Sequence, residues 1–577
     1  MNNALVLSDF IVFAVYFLLL AGYGYWVYQK KKKAAISATH DFFLAEGSLT
    51  WWAIGASLIA SNISAEQFIG MSGEGFFVGT AVAAYEWLAA IALIIIAVWF
   101  MPIYLKNKIY TMPQFLKTRY NETVALIMAV FWLFLYVFVN LTSILYLGAV
   151  AINGLAGGEY LHLIMVALAV MGLIITLGGM KVIGYTDVLQ VAVLIIGGLA
   201  TTYLALTKVS EAFGLGSDAI AGFNAMLKDA PDHFKMMLDK PTAAQISAAE
   251  QGDAASQLYI NKYLILPGIT MYFAGQWIVN LNYWGCNQYI TQRALGADLK
   301  TARTGILFAA FLKLMMPIIV MLPGIAAYVL HKNGGLEGFN GVKDTAYSSV
   351  LAFLPEGLKG LSVAALTAAI VASLAGKLNS ISTIYTLDIY KKYINKNSDE
   401  TKQVWIGRAT VLAAMILALI FTWEDLLGIG GEGGFTFIQK YTGFISPGVF
   451  AMFILGMFWK RTTGLAAIAG LITGFVLAIF FNNYAVGIFG NETLLYTALP
   501  TVSSATKEIV YEIPFLINMG WSFFFTLVIM VVLSLIGKKG HEKSFELDKT
   551  MFKVQPIHIV MIVAIVLIIT ALYAKFW

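Results

Sequence analysis

Hydrophobic runs long enough to cross a membrane recur along almost the whole chain, separated by short polar connections. A helix needs about 20 mainly apolar residues to cross a bilayer, and about fourteen windows meet that length. The pattern predicts an all-α polytopic membrane protein, with residues 1–577 forming a single integral membrane domain. The windows are 8–28, 51–72, 81–105, 124–150, 161–179, 186–206, 264–288, 305–330, 357–391, 405–422, 437–458, 464–481, 515–536 and 557–575.

Basic residues cluster after six of the seven odd-numbered windows, whereas the other connections carry few for their length. Loops rich in lysine and arginine stay on the cytoplasmic side. An even number of spans then places both termini outside the cytoplasm. The clusters are 30–33; Lys106, Lys108, Lys117 and Arg119; Arg293, Lys300 and Arg303; Lys391 and Lys392; Lys460 and Arg461; and Lys538 and Lys539.

Two sets of five windows, within 51–206 and 264–458, enter the membrane from opposite faces. That arrangement predicts an inverted-topology repeat, a usual framework for alternating access. The window at 8–28 and those within 464–577 are predicted to be peripheral helices. The longest connection, 207–262, is the least hydrophobic and predicts short amphipathic helices on the outer surface.

A run of polar residues interrupts the second window where hydrocarbon would normally require leucine or valine. Polar groups at that depth are tolerated mainly when they face a protein interior, an ion or a substrate. Serine and asparagine also compete for backbone hydrogen bonds, which favours a break in the helix. The alternative is a polar contact between two intact helices. The run is Ala60-Ser61-Asn62-Ile63-Ser64-Ala65-Glu66-Gln67.

The composition agrees with a membrane protein and excludes several other classes. Of the 577 residues, 59% are hydrophobic and 12% charged, against about 25% charged in soluble domains. One cysteine, Cys286, excludes an intrachain disulfide and fits a bacterial inner-membrane protein. The first apolar run follows Asp9 without a basic segment, so we expect no cleavable signal peptide. The net charge of +5 is spread over short loops, and no nucleic-acid partner is expected.

Sequence motifs for common enzyme chemistries are absent. The chain has no phosphate-binding G-x-x-x-x-G-K-S/T loop, no H-E-x-x-H, no cluster of cysteine and histidine ligands, and no G-x-S-x-G. An ATP-driven pump, a metalloenzyme and a hydrolase are therefore not expected. We predict that the protein is not an enzyme.

Further polar side chains lie inside the predicted spans, and together they suit a sugar. They supply a carboxylate, an ammonium, amides and a phenol, while nearby aromatic rings could stack on a sugar ring. The alternative for Glu86 and Lys313 is a structural ion pair. The residues are Glu86, Asn280, Tyr283, Lys313 and Gln439, together with Gln67.

The ninth window carries a lysine one helical turn after a serine, Ser373 and Lys377. The small residues around them favour close helix packing. A lysine at this depth needs a carboxylate, water or a route to the surface. Asp187, at the start of the sixth window, is a candidate partner.

Several of these segments resemble the sodium:solute symporter family, in particular its sodium/glucose and sodium/galactose cotransporter branch. The resemblance covers nearly the whole chain. It rests on Ile63-Ser64-Ala65-Glu66-Gln67-Phe68-Ile69-Gly70-Met71-Ser72-Gly73, Tyr85-Glu86-Trp87, Tyr283-Trp284-Gly285, Asn287-Gln288-Tyr289 and Thr386-Leu387-Asp388-Ile389-Tyr390.

The resemblance implies a fourteen-helix transporter with a five-plus-five inverted repeat. It implies that Tyr283 stacks on the sugar as an inner gate. The other implied roles are listed by group: sugar hydrogen bonds from Gln67, Glu86, Asn280, Lys313 and Gln439; outer closure by Met71, Tyr85 and Phe435; sodium ligation by the carbonyls of Ala60, Ile63 and Ala369 and the hydroxyl of Ser373.

The chain departs from the branch at the implied sodium site. Ala372 stands where the family has the first of two adjacent serines, and Lys377 stands at a usually apolar position. A hard cation prefers oxygen ligands and is repelled by an ammonium. One hypothesis is that Lys377 occupies or screens the cation site and weakens or replaces sodium coupling. The alternative is that Lys377 points to the cytoplasm and pairs with Asp187, which leaves sodium binding intact. Ala89, in place of a serine, removes one implied sugar hydrogen bond.

Three functional hypotheses follow. The first is a secondary active transporter that imports a hexose, such as galactose or glucose, with sodium. The second is a sodium-independent uniporter or a proton-coupled sugar carrier on the same fold. The third, a sugar sensor or membrane enzyme, would need an added domain, and the longest cytoplasmic loops, near 29–50 and 537–556, are too short for one.

Overall fold

A computed structural model describes most of the chain at the level of individual residues. The described residues are 6–32, 42–43, 49–64, 66–155, 159–336, 339–352, 354–355, 357–424, 426, 434–503, 507–537 and 543–577.

The described chain is built almost entirely of helices, and each predicted window contains one. The apolar α-helices are Leu7–Lys32, Trp51–Asn62, Ser72–Phe77, Ala84–Ile95, Met101–Lys106, Glu122–Phe134, Thr142–Leu155, Leu161–Leu177, Met180–Ala212, Gly275–Cys286, Leu299–Val320, Leu322–Lys332, Leu358–Thr383, Glu400–Trp423, Gly434–Gly443, Ser446–Phe458, Gly464–Asn483, Phe515–Ile536 and Pro556–Phe576. Short π-helical turns, Glu66–Met71, Ile96–Phe100, Leu135–Leu141 and Ile384–Ile394, continue several of them.

Shorter elements connect these helices. They are the α-helices Met112–Arg119, Ala219–Asp229, Ala243–Glu250, Ala254–Ile265, Thr270–Phe273, Gln288–Leu295, Ala346–Leu351 and Ala485–Phe489, and the 3₁₀ turns Thr80–Ala83, Pro231–Phe234, Lys343–Thr345 and Lys549–Phe552. An antiparallel hairpin that the sequence pattern did not indicate pairs Leu499–Val502 with Ile509–Glu512.

The membrane-spanning character of the fold is confirmed, although the predicted count of fourteen spans is not. Among the described residues, ten helices are long and apolar enough to cross a bilayer, or eleven if one bent pair forms a single span. That pair is Ala254–Phe273 and Gly275–Cys286, which meet at an angle of 81°. Leu161–Leu177 and Ser446–Phe458 are apolar but shorter. The protein is therefore a multi-pass, all-α membrane protein, and its inverted repeat stays a prediction.

The predicted interruption of the second window is present. Helix Trp51–Asn62 ends at Ile63, whose backbone is extended with φ −82° and ψ 112°. The chain then resumes as the π-helical turn Glu66–Met71 and helix Ser72–Phe77. Because a helix end leaves its last carbonyls without intrahelical partners, this break exposes backbone oxygens inside the protein.

One helix, Leu358–Thr383, lies at the centre of the fold, and nearly all of its side chains are buried. It packs against Met180–Ala212 and Trp51–Asn62. Small residues permit this contact, since a methyl group at Gly197 would lie 2.8 Å from the methyl group of Ala365. The central helix therefore runs beside the helix break.

Candidate functional site

A central cavity of about 90 Å³ lies beside the helix break. That is room for several water molecules, on the scale where about 10–15 Å³ holds one. Amides, tyrosines and three charged side chains dominate its wall. The lining residues are Asn62, Gln67, Tyr85, Glu86, Ala89, Leu135, Asn140, Val279, Asn280, Asn282, Tyr283, Trp284, Asn287, Tyr289, Lys313, Lys377, Ile438, Gln439, Thr442 and Ser446.

All six residues predicted from the sequence to bind a sugar lie in the wall of this cavity. They come from separate elements: the π-helical turn after the break, helices Ala84–Ile95, Gly275–Cys286 and Leu299–Val320, and helix Gly434–Gly443. The residues are Gln67, Glu86, Asn280, Tyr283, Lys313 and Gln439.

An ion pair between Lys313 and Glu86 forms the charged centre of the cavity. Both side chains are almost completely buried, and the Lys313 ammonium contacts Glu86 Oε2 directly. Gln67 Nε2 donates to the other carboxylate oxygen at 3.1 Å. The ammonium also donates to Asn62 Oδ1 and lies 5.2 Å from the ring centroid of Trp284. The pair that was considered as a purely structural alternative thus exists, and it also faces the cavity.

Asn62 connects the charged pair to the predicted inner gate, and its role was missed at the sequence level. While its carbonyl oxygen accepts from Lys313, its Nδ2 donates to the Tyr283 hydroxyl at 3.0 Å. The Tyr283 ring lies edge-on to Tyr289, with centroids 5.7 Å apart. Asn62 ends the helix at the break, so its position within the polar run was the available signal.

Other amides in the wall were also missed. Asn282 Nδ2 donates to the Ser446 hydroxyl at 3.1 Å, which ties two cavity-lining helices together. Asn280, which was predicted from the sequence, donates through its Nδ2 to the carbonyl of Gln276 at 2.9 Å. Asn140 lies in the middle of a predicted span, where an amide is unusual enough to mark it.

The residues predicted to close the cavity from outside do not all line it. Tyr85 lines the cavity and is buried. Met71 is fully buried at the end of the π-helical turn and is not among the described lining residues. Phe435 belongs to helix Gly434–Gly443, and its side chain lies outside the described set.

The residues implied to ligate sodium lie where the central helix passes the break. Ser373 Oγ donates to the carbonyl oxygen of Ser61 at 3.3 Å. Ala60, Ile63 and Ala369 are buried. The Lys377 ammonium donates to Ser373 Oγ at 3.2 Å and lies 4.9 Å from the ring centroid of Tyr289.

Asp187, the candidate partner of Lys377, is paired with Arg293 instead. Asp187 accepts a hydrogen bond from the Ser57 hydroxyl, and Arg293 Nη2 lies 3.9 Å from its Oδ2. The Arg293 Nε also donates to Ser57 Oγ at 2.8 Å. Arg293, expected in a cytoplasmic loop, is instead buried, because Asp187 and Ser57 compensate its charge.

Comparison with known proteins agrees with this architecture. Residues 42–474 match the sodium:solute symporter family. The chain is 40% identical over 592 aligned positions to the sodium/glucose cotransporter of Vibrio parahaemolyticus, covering 100% of this chain and 99% of that protein. It is 31% identical over 496 positions to the sodium/myo-inositol cotransporter 2 of Mus musculus, covering 82% of this chain and 69% of that protein.

A solved structure shares the fold. The substrate-bound, outward-open state of a Na⁺-coupled sialic acid symporter superposes with a TM-score of 0.73 at 19% identity, covering 92% of this chain and 99% of that one. The family and the relatives named here are transporters, and sodium-coupled solute symport is what they support. The chain is a member of the sodium:solute symporter family.

Proposed function

We propose that this protein imports a hexose, such as galactose or glucose, together with sodium, by alternating access around the central cavity. The observation that carries the proposal is that the six polar residues selected from the sequence meet in one enclosed space. We place the protein in a bacterial inner membrane with both termini outside the cytoplasm, as the basic clusters predict.

The cavity offers a sugar both donors and acceptors. Each sugar hydroxyl can donate one hydrogen bond and accept others. Lys313 and the amide of Asn280 supply donors, and Glu86 supplies acceptor oxygens. The Gln67 side-chain oxygen has no partner among the described residues, so it offers a further acceptor to a ligand. This mixture of donors and acceptors suits a compact polyhydroxylated cargo.

The similarity to named relatives supports a sugar as the cargo. It is also compatible with other polyols. The Vibrio parahaemolyticus relative is named for glucose, and the mouse relative for myo-inositol. Both cargoes are neutral rings that carry several hydroxyls. We favour the hexose because the glucose-named relative is 40% identical over the full chain.

We assign sodium to the carbonyls of Ala60, Ile63 and Ala369 and to the hydroxyl of Ser373. This region lies between the end of the broken helix and the central helix Leu358–Thr383, where carbonyl oxygens suit a hard cation. Binding of sodium and sugar must favour the same conformer for transport to be coupled.

We assign the gates to aromatic and apolar side chains around the sugar. Tyr283 would close the cavity from inside, and Met71, Tyr85 and Phe435 would close it from outside. The second candidate function is a sodium-independent or proton-coupled sugar carrier. The contact between Lys377 and Ser373 favours it, because that ammonium lies against an assigned sodium ligand.

Substitution of Gln67 by alanine tests the sugar site. Loss of a hydrogen bond to a charged or well-placed partner costs about 1.5–3 kcal/mol, or roughly a 10- to 100-fold loss of affinity. We expect that loss in galactose or glucose uptake at low sugar concentration. The matched control is Gln403→Ala, which removes a buried amide of helix Glu400–Trp423 outside the cavity. Uptake that survives Gln67→Ala unchanged would show that the sugar site is misplaced.

A further inference from the structure

We propose that Lys377 supplies a tethered cation, whose ammonium group occupies the sodium position and must leave it when sodium binds. The proposal rests on the sodium position assigned under the proposed function. It makes Lys377 a specificity-determining residue that weakens sodium binding and allows sugar to bind without sodium.

The geometry places the ammonium at the only serine hydroxyl left at this position. Lys377 lies one turn after Ser373, and its Nζ is 3.2 Å from that hydroxyl oxygen. The same hydroxyl donates to the carbonyl of Ser61, on the last turn before the helix break. Ala372, which stands at the first of the two family serine positions, adds no side-chain oxygen. The ammonium and a sodium ion would therefore compete for Ser373.

The Ser61 side chain gives a second sign of an incomplete site. Its hydroxyl is fully buried and has no hydrogen-bond partner among the described residues. It faces Gly376, where an added methyl group would lie 2.5 Å from Arg293 Nη2 and 3.1 Å from the Ser61 hydroxyl oxygen. A buried hydroxyl without a partner is costly and rare. The Ser61 hydroxyl oxygen is thus an available acceptor opposite Gly376, the residue before Lys377, and a cation or donor group can bind there.

The Lys377 side chain also faces the central cavity. Lys377 lines the central cavity, with its Nζ 4.9 Å from the ring centroid of Tyr289. The lysine stem is long and flexible. The ammonium can therefore leave Ser373 for the cavity side, over the tyrosine face, without moving the central helix.

The charge around the cavity opposes simultaneous occupancy by sodium and the ammonium. Among the described lining residues, Glu86 contributes one negative charge, and Lys313 and Lys377 contribute two positive charges. The wall thus carries an excess of one positive charge before sodium enters. At about 4 Å and an effective dielectric constant of about 20, repulsion between unit charges alone is worth up to roughly a thousandfold in affinity. Because the lysine can move away, we expect it to weaken sodium affinity by only about tenfold.

The competing explanation placed Lys377 against Asp187. The Asp187 carboxylate instead pairs with Arg293 and accepts a hydrogen bond from Ser57. That carboxylate therefore does not hold the ammonium away from Ser373.

Isothermal titration calorimetry of sodium binding to the purified protein tests the proposal. The titrations contain no sugar, and choline keeps the ionic strength constant. We expect about tenfold tighter sodium binding in Lys377→Met than in the parent, and no tightening in Lys377→Arg, which keeps the charge. The matched control is Lys359→Met, a buried lysine 18 positions earlier on the same helix, about 27 Å away. Equal or weaker sodium binding in Lys377→Met overturns the proposal.

A second variant covers the case in which Lys377→Met does not fold. Lys377→Gln removes the charge and keeps a hydrogen-bond donor near Ser373, so it should tighten sodium binding similarly. Parental sodium affinity in folded Lys377→Gln overturns the proposal. Because sugar is absent from these titrations, a parent that transports no hexose contradicts the proposed function without affecting this result. In uptake assays, we expect the parent to equilibrate sugar without sodium and Lys377→Met to require sodium.

Discussion

Removal of one charge from the Glu86–Lys313 pair should destabilise the protein more than removal of both. Lys313 is 1% exposed, and its remaining partners after Glu86→Gln are the neutral Asn62 oxygen and the Trp284 ring. Breaking a buried ion pair costs about 3–5 kcal/mol because a buried charge is left uncompensated. Replacing both partners by groups of similar shape is often close to neutral. We therefore expect Glu86→Gln and Lys313→Met to be strongly destabilising and the double variant to be milder than either.

Thermal unfolding of the purified protein in detergent, followed by circular dichroism, measures the effect. Scaling from about 2–4 °C per kcal/mol in chains of 150–250 residues, each single variant should melt roughly 3–10 °C below the parent. Lys208→Met provides the control, because its pair with Glu211 is about 40% exposed and should be worth at most about 1 kcal/mol. All three cavity variants should lose sugar uptake. A double variant that loses the sum of the two single losses would refute the reasoning.

Three further variants test the gate at Tyr283, the connection 207–262 and helix packing at Gly324. Tyr283→Phe removes the 3.0 Å hydrogen bond from Asn62 and should weaken sugar affinity by up to about tenfold in uptake titrations, while Tyr283→Ala should cost more because the ring is lost. Burial lowers the pKa of His233, in the connection 207–262, from 6.5 to about 4. Stability should therefore fall by up to about 3 kcal/mol as pH drops from 6.5 toward 4, and a melting series of His233→Gln should lack that loss. A methyl group at Gly324 would lie 1.8 Å from the Ser72 carbonyl oxygen, so Gly324→Ala should lower the melting temperature by several degrees, and an unchanged melting curve would contradict this packing.

The helix break and the cavity residues could be predicted because their chemistry conflicts with the surrounding hydrocarbon. Asn62 ends an apolar helix, and Glu86 and Lys313 stand inside otherwise apolar windows. Such residues are costly in a bilayer unless a partner or cargo satisfies them. Local sequence therefore indicated which side chains matter, while leaving their mutual contacts open.

The partner of Arg293 could not be predicted, because it comes from a distant part of the chain. Arg293 follows a predicted span and looked like a cytoplasmic loop residue, yet it is buried against Asp187, 106 positions earlier. Helical spacing placed Ser373 and Lys377 on one face, but it could not decide between Asp187 and the cavity as the neighbour of Lys377. The 81° bend before Gly275–Cys286 and the hairpin of Leu499–Val502 with Ile509–Glu512 also escaped prediction, since neither carries a strong local pattern.

Sodium-coupled sugar import can be measured as uptake of labelled galactose and glucose into proteoliposomes, with and without an inward sodium gradient at clamped pH. We predict accumulation of at least one sugar above its equilibrium level when the gradient is present. Without sodium, we predict slower equilibration and no accumulation. Equilibration that is indifferent to the sodium gradient would contradict sodium coupling, and no uptake of either sugar would contradict the assignment of the cavity to a hexose.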